Sequence, residues 1–146
     1  MAGVAKLFKG NILNKSKEKV DLNGEQYKGK VIGLYFSAHW CPPCRGFTPV
    51  LAEFYANHHK EKNFEIIFIS SDRDESSYEE YYNEMPWLTL DYKDRHAKDE
   101  LASQFHVTGI PKLVFLDADS GDMICPDGRK KVQSEDPEGI EFPWKS

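Results

Sequence analysis

Three short apolar runs restrict what this chain can fold into: VIGLYFS at 31 to 37, FEIIFIS at 64 to 70 and KLVFLDA at 112 to 118. Each is rich in β-branched or aromatic residues and too short for a buried helix, so each predicts a strand. Their apolarity is nearly continuous, which places them in a sheet covered on both faces. Between the first two runs Phe47, Val50, Leu51, Phe54, Tyr55 and His58 recur at helical spacing and form one apolar stripe. His58, His59 and Lys60 follow at that helix's end, where cations complement the dipole. After the second run Asp72 and Glu75 have the spacing of a capping box, Tyr78, Tyr81, Tyr82 and Met85 mark a second helical face, and Pro86 stops it. Ala97, Leu101 and Phe105 mark a third helix. This alternation predicts an α/β fold, a central mixed sheet flanked by helices on both faces. Strands 31 to 37 and 64 to 70, joined by a right-handed crossover, are expected to run parallel. DADSGDMI at 117 to 124 has the Asp, Ser and Gly of a turn between two antiparallel strands. The C-terminal DPEGIEFPWKS is expected to pack Phe142 and Trp144 back on the core.

HWCPPCR at 39 to 45 then asks why two of only three cysteines surround a pair of prolines. The 146 residues contain no repeat, low-complexity tract or dividing linker, so residues 1 to 146 are read as one domain. Cys41, Cys44 and Cys125 are too few for a secreted disulfide scaffold. Lysines interrupt Met1 to Leu13, leaving no apolar signal region, and no segment has membrane-spanning length. The expectation is a soluble cytoplasmic monomer, small enough to enter a nucleus as well, with no membrane partner. A net charge of −5 argues against nucleic acid as the main ligand, and GRKK at 128 to 131 reads as a solvated basic face.

Covalent haem attachment needs a histidine directly after the second cysteine, where this chain has Arg45. Structural zinc needs two further ligands, and Cys125 with scattered histidines offers no second close pair. A dithiol that opens and closes fits better. Cys41 falls four residues past the end of a buried strand and at the start of an amphipathic helix, with Pro42 and Pro43 in the first turn, where a missing N–H costs nothing. Free N–H groups and the macrodipole there favour a thiolate at the first cysteine. Cys44, one turn further in, is shielded. The expectation is an exposed attacking thiol at Cys41 and a resolving thiol at Cys44. No metal, flavin or nucleotide motif is present, so no cofactor is expected.

YFSAHWCPPCRGFTP, SSDRDE, EMPWL, GIPKLVFLD and DPEG followed by FPW together resemble the nucleoredoxin and tryparedoxin branch of the thioredoxin superfamily, from about residue 30 to residue 144. Tryparedoxins generally carry tryptophan where this chain has Ser71, whereas SSDR and EMPWL are similar to nucleoredoxin, so the resemblance leans to a short, single-domain nucleoredoxin-like protein. It implies a thioredoxin-like fold and protein-disulfide reduction, with Cys41 as nucleophile, Cys44 resolving and Trp40 shielding the site. It also implies substrate docking on Pro42, Pro43, Ile110 and Pro111, with Pro111 in the cis form and facing the dithiol. The implied partners are disulfide-containing proteins, such as peroxidases, signalling proteins or transcription factors, and an upstream thiol reductant. The alternative is a redox-switched adaptor that binds signalling or transcription-regulating proteins. Thioredoxins proper usually carry a buried aspartate six residues before the first cysteine, where this chain has Tyr35. A phenol with a pKa near 10 is not a base at neutral pH, but its hydroxyl can bond a sulfur or a water. Tyr35 is therefore either a proton-transfer group or a core residue. His39 reads as a solvated histidine beside the site, and Cys125 as a bystander thiol.

Overall fold

The computed structural model describes residues 3–8 and 10–145. Among these, the strands are β1 (Ile12–Leu13), β2 (Val31–Ser37), β3 (Phe64–Ser70), β4 (Leu88–Leu90), β5 (Lys112–Asp117) and β6 (Met123–Cys125). They form one mixed sheet in the order β1-β4-β3-β2-β5-β6. The three apolar runs are β3, β2 and β5, side by side at its centre. β2 and β3 pair in parallel from Val31↔Phe64 to Ser37↔Ser70, and β5 runs antiparallel to β2. The turn at 117 to 122 delivers β6 antiparallel to β5, as its residues predict. β1 and β4, two and three residues long, are too short to show a period in sequence.

Alternation along the strands separates two cores. Tyr35, Ile66, Phe68, Leu113 and Phe115 face one side, with α1 (Pro42–His58), α2 (Glu75–Tyr82) and the C-terminal segment packed over them. Ile32, Leu34, Phe36, Ile67, Ile69, Val114 and Leu116 face the other, under α3 (Arg95–Gln104) and the N-terminal segment. Both faces being covered is why the runs are apolar at successive positions. Gly33 makes one close approach possible: a Cβ there would lie 2.9 Å from the Phe115 ring.

The α1 stripe buries Phe47, Leu51, Phe54 and Tyr55, whereas Val50, predicted to join it, is exposed. It lies at the stripe's edge and turns to solvent. The second helix is not capped by Asp72. Its N-cap is Asp74, whose carboxylate accepts from the Ser77 N–H at 2.7 Å. Two acidic residues compete for that position, and Asp72 is drawn into the interior instead, 4 % exposed. Phe105 closes α3 as a partly buried C-cap rather than a helical residue.

Phe142 and Trp144 pack on Phe54 and Phe115 with ring centroids 5.4 to 6.2 Å apart. Asp136 holds this segment in place by accepting from Trp144 Nε1 at 2.9 Å and the Glu141 N–H at 2.8 Å. These bonds keep its carboxyl below the usual range. The Phe142–Pro143 peptide is cis, which the sequence reading did not anticipate.

Trp144→Ala is expected to lower the unfolding free energy by about 3 kcal/mol, the usual cost of truncating a buried aromatic. Urea denaturation measures it, and a loss below about 1 kcal/mol would show that the tail does not support the core. Burial raises the phenols of Tyr35, Tyr55, Tyr78, Tyr81 and Tyr82. Their stabilising contribution is therefore complete below the unfolded tyrosine pKa of about 10 and is lost as pH climbs above it. Denaturation midpoints should drop between about pH 9 and pH 11; equal midpoints would contradict the burial.

Candidate active site

β2 ends at Ser37, and the chain crosses the sheet's C-terminal edge through residues 38 to 41 before entering α1. Cys41 is the N-cap of that helix, in extended conformation, and Pro42 and Pro43 fill the first turn. Its sulfur accepts the N–H of Cys44 at 3.3 Å, which is the interaction a helix terminus offers an anion. On its other side Cys41 Sγ lies 3.9 Å from the carbonyl oxygen of Ile110, in the loop where the Ile110–Pro111 peptide is cis. Ala38 and Ile110 close over the pair. Cys41 is therefore not the open thiol that its position at the helix start predicts: it keeps 5 % of its surface, against 0 % for Cys44. The order of accessibility between the two is as expected, but the loop bearing Ile110 covers the first sulfur as well.

Cys44 is a different chemical object. Burial pushes its thiol up to about 12, with the neighbouring Cys41 adding to the shift and the Ser37 hydroxyl opposing it. At neutral pH it is a thiol. Ionising it belongs to the unfolded chain first, so its contribution to stability is present below the unfolded pKa and is lost as pH rises toward 12.

The loop before the dithiol is held by Asp72 and Ser71, contacts that the sequence does not reveal. Asp72 accepts from the His39 N–H at 2.8 Å and from Ser70 Oγ at 2.7 Å. Trp40 Nε1 donates to the Ser71 carbonyl at 3.0 Å, and the Arg73 guanidinium sits 5.1 Å from the Trp40 ring centroid. Trp40 stays 50 % exposed, and with exposed Pro42 and Pro43 and half-buried Ile110 it rims the sulfurs; Pro111 is buried behind them. An acid two residues past a strand end is the available signal for Asp72, but its capping-box spacing marks it as the cap of α2, a place that Asp74 takes.

Tyr35 is fully buried, and its hydroxyl reaches the Cys44 carbonyl at 3.4 Å rather than a sulfur. It belongs to a ring of four hydroxyls. Tyr35 contacts Thr48 Oγ1 at 2.7 Å and accepts from Ser37 Oγ at 3.2 Å, Ser37 Oγ contacts the Tyr81 hydroxyl at 2.7 Å, and Tyr81 closes on Thr48 Oγ1. Residues i and i+2 of β2 and i and i+4 of α1 supply Tyr35, Ser37, Cys44 and Thr48 from facing surfaces; α2 adds Tyr81. Cys125 is buried on β6, in the aromatic core, with burial raising its pKa. Among the described residues no cluster of three or more His, Cys, Asp or Glu side chains is arranged to hold a metal, and no helix is long and apolar enough to cross a membrane.

A thioredoxin-like family model matches residues 29–123, and the chain belongs to that family. Tryparedoxin of Trypanosoma brucei brucei is 51 % identical over 146 residues, covering 99 % of both chains. Human nucleoredoxin is 44 % identical over 84 % of this chain, which spans only 28 % of that protein. The solved tryparedoxin from Trypanosoma brucei superposes with a TM-score of 0.93 at 49 % identity, with complete coverage of both chains. A tryparedoxin II complexed with glutathionylspermidine gives 0.93 at 40 %, covering 99 % of this chain and 100 % of that one. Ser71 led to the expectation of a nucleoredoxin-like chain, whereas identity is higher, and over the full length, to tryparedoxin. The fold and these relatives define a thioredoxin-type thiol–disulfide oxidoreductase.

In native protein at about pH 8, iodoacetamide should modify Cys41 first, because its sulfur caps the helix and accepts the Cys44 N–H, whereas burial raises the thiols of Cys44 and Cys125. Peptide mapping checks this, and prompt labelling of Cys44 would contradict the burial. Asp72→Ala should free the His39 to Trp40 segment at a cost of about 2 kcal/mol. Trp40 is the exposed indole, so acrylamide quenching should rise; unchanged quenching would remove Asp72 from the anchor.

Proposed function

We propose that the protein reduces disulfides in partner proteins, with Cys41 attacking and Cys44 resolving. The observation that carries this reading is the asymmetry of the pair. Cys41 caps the helix and accepts the Cys44 N–H, whereas Cys44 is sealed as a thiol. The Cys41 thiolate displaces one sulfur of the partner's disulfide and forms a mixed disulfide. Cys44 then attacks Cys41 Sγ, the partner's second sulfur leaves with the electron pair, and a Cys41–Cys44 bridge remains. A thiol reductant restores the dithiol.

Trp40, Pro42, Pro43 and Ile110 receive the partner strand in this reading. The full-length similarity to tryparedoxin supports a small-thiol reductant upstream and peroxidases among the partners. The exposed Trp40 with Arg73 against it also suits a second role, a redox-switched adaptor for signalling or transcription-regulating proteins. The working location is the cytoplasm, with access to the nucleus, and the chain acts as a monomer.

Cys44→Ser should accumulate mixed disulfides that survive non-reducing electrophoresis, while Cys41→Ser should form none and lose at least about a thousandfold in activity, as expected for a missing nucleophile. The reverse pattern would exchange the two roles. Repeated turnover of a trapped partner by the wild-type protein identifies a reductase, and stoichiometric binding without turnover identifies the adaptor. Cys125→Ser should leave insulin reduction intact.

A further inference from the structure

Where β3 ends, three successive carbonyls are each taken by a side chain. Arg95 Nη1 donates to the Ser70 carbonyl at 2.8 Å, Trp40 Nε1 to that of Ser71 at 3.0 Å, and the Tyr92 hydroxyl to that of Asp72 at 2.9 Å. Trp40 belongs to the dithiol loop, whose His39 N–H goes to the Asp72 carboxylate at 2.8 Å. Tyr92 and Arg95 come from elsewhere, the loop before α3 and the first residue of that helix. Residues 70 to 72 therefore hang between the dithiol loop and α3.

Arg95 holds two carbonyls at once. Its guanidinium lies 3.9 Å from the Tyr92 ring centroid, and it donates through Nε to the Tyr92 carbonyl and through Nη1 to that of Ser70. Donating in two directions from one rigid plane is what a guanidinium does and an ammonium does not. Nη2 is buried without a hydrogen-bond partner among the described residues, and burial lowers the pKa of the group. An aliphatic side chain would occupy this place without the cost of burying a cation, but it would leave both carbonyls unpaired. The helix fixes where Arg95 begins: its N-cap Asp94 accepts from the Ala97 N–H at 3.1 Å and from Asn11 Nδ2 at 2.7 Å.

We infer that Arg95, together with Tyr92, is a positioning residue for the rim of the dithiol. It braces residues 70 to 72, and that segment places the Trp40 indole and the His39 main chain. The inference rests on the reading that Trp40 and its neighbours receive the partner strand. It gives α3, which supplies no group to the sulfurs, the task of placing the surface that the partner meets. The hydrogen bonds of Arg95 and Tyr92 are made to main-chain carbonyls and not to sulfur, so their loss falls on capture of the partner rather than on sulfur exchange.

The test follows reduction of insulin by the full chain, with dithiothreitol as reductant and insulin varied. Arg95→Met, which fills the space over Tyr92 and removes both donations, should raise KM for insulin about fivefold with kcat within about twofold, the scale of a lost main-chain hydrogen bond. Tyr92→Phe loses only the hydroxyl on Asp72 and should raise KM about twofold. Arg95→Lys keeps the charge without the fork and should behave like Arg95→Met; a wild-type KM there would assign the effect to charge and overturn the brace. Acrylamide quenching of Trp40, taken as the difference from a Trp40→Phe background that leaves the buried Trp87 and Trp144, reads the brace without substrate. It should rise in Arg95→Met and in Tyr92→Phe. Wild-type KM and quenching in both folded variants, or a lower melting temperature with neither changed, would overturn the inference. Failure of the wild-type protein to reduce insulin would instead overturn the reading of its function, and quenching would still decide the brace.

Discussion

The parallel pairing of β2 with β3 is the constraint on which the site depends. It is in register over its whole length and stops at Ser37 opposite Ser70. Both chains therefore leave the sheet at the same edge, one into the dithiol loop and the other into Ser71, Asp72 and Arg73. Their proximity lets Asp72 take the His39 N–H and lets the Ser71 carbonyl take the Trp40 indole. The connections of an open α/β sheet leave this carboxyl edge free, and chemistry concentrates there because the loops are held by a rigid sheet below.

One helical turn gives the two cysteines opposite chemistry. The N-cap position puts Cys41 against a free N–H, where negative charge is welcome. The next turn places Cys44 under the sheet face, where burial disfavours charge. The two sulfurs therefore sit in opposite environments. The Cys-Pro-Pro-Cys spacing supplies them within four residues, and the prolines cost no hydrogen bond there. Ile110 covers Cys41 on one side, and exposed Trp40, Pro42 and Pro43 rim it on the other.

The relatives locate the chain between two kinds of protein. It is 51 % identical to a tryparedoxin over its full length and 44 % identical to a nucleoredoxin over 84 % of it. The rim of the site is built from Ser71, Arg73 and Trp40. Ser71 contributes only its carbonyl to Trp40, and Arg73 lays a cation against that ring. The helix terminus that receives the sulfur of Cys41 is built from α1 itself and does not draw on these rim contacts.

The central strands, the first helix, the turn before β6 and the return of Phe142 and Trp144 were all legible in sequence, because each is written in a local period or composition. So was the placement of Cys41 at a strand-to-helix junction. The brief strands β1 and β4 were not, since two or three residues carry no period. Asp72 has the capping-box spacing, and only the packed loop decided that it would turn inward to His39 and leave the cap to Asp74. The hydroxyl ring was equally invisible. Tyr35, Ser37, Thr48 and Tyr81 stand on β2, α1 and α2, and no local pattern states that three elements will converge beside the Cys44 carbonyl. Sequence by itself determined the layers and the cysteine pair at the strand-to-helix junction; tertiary structure decided how far each thiol is covered and which hydroxyls meet behind the helix start, because burial and hydrogen-bond partners exist only once the layers meet.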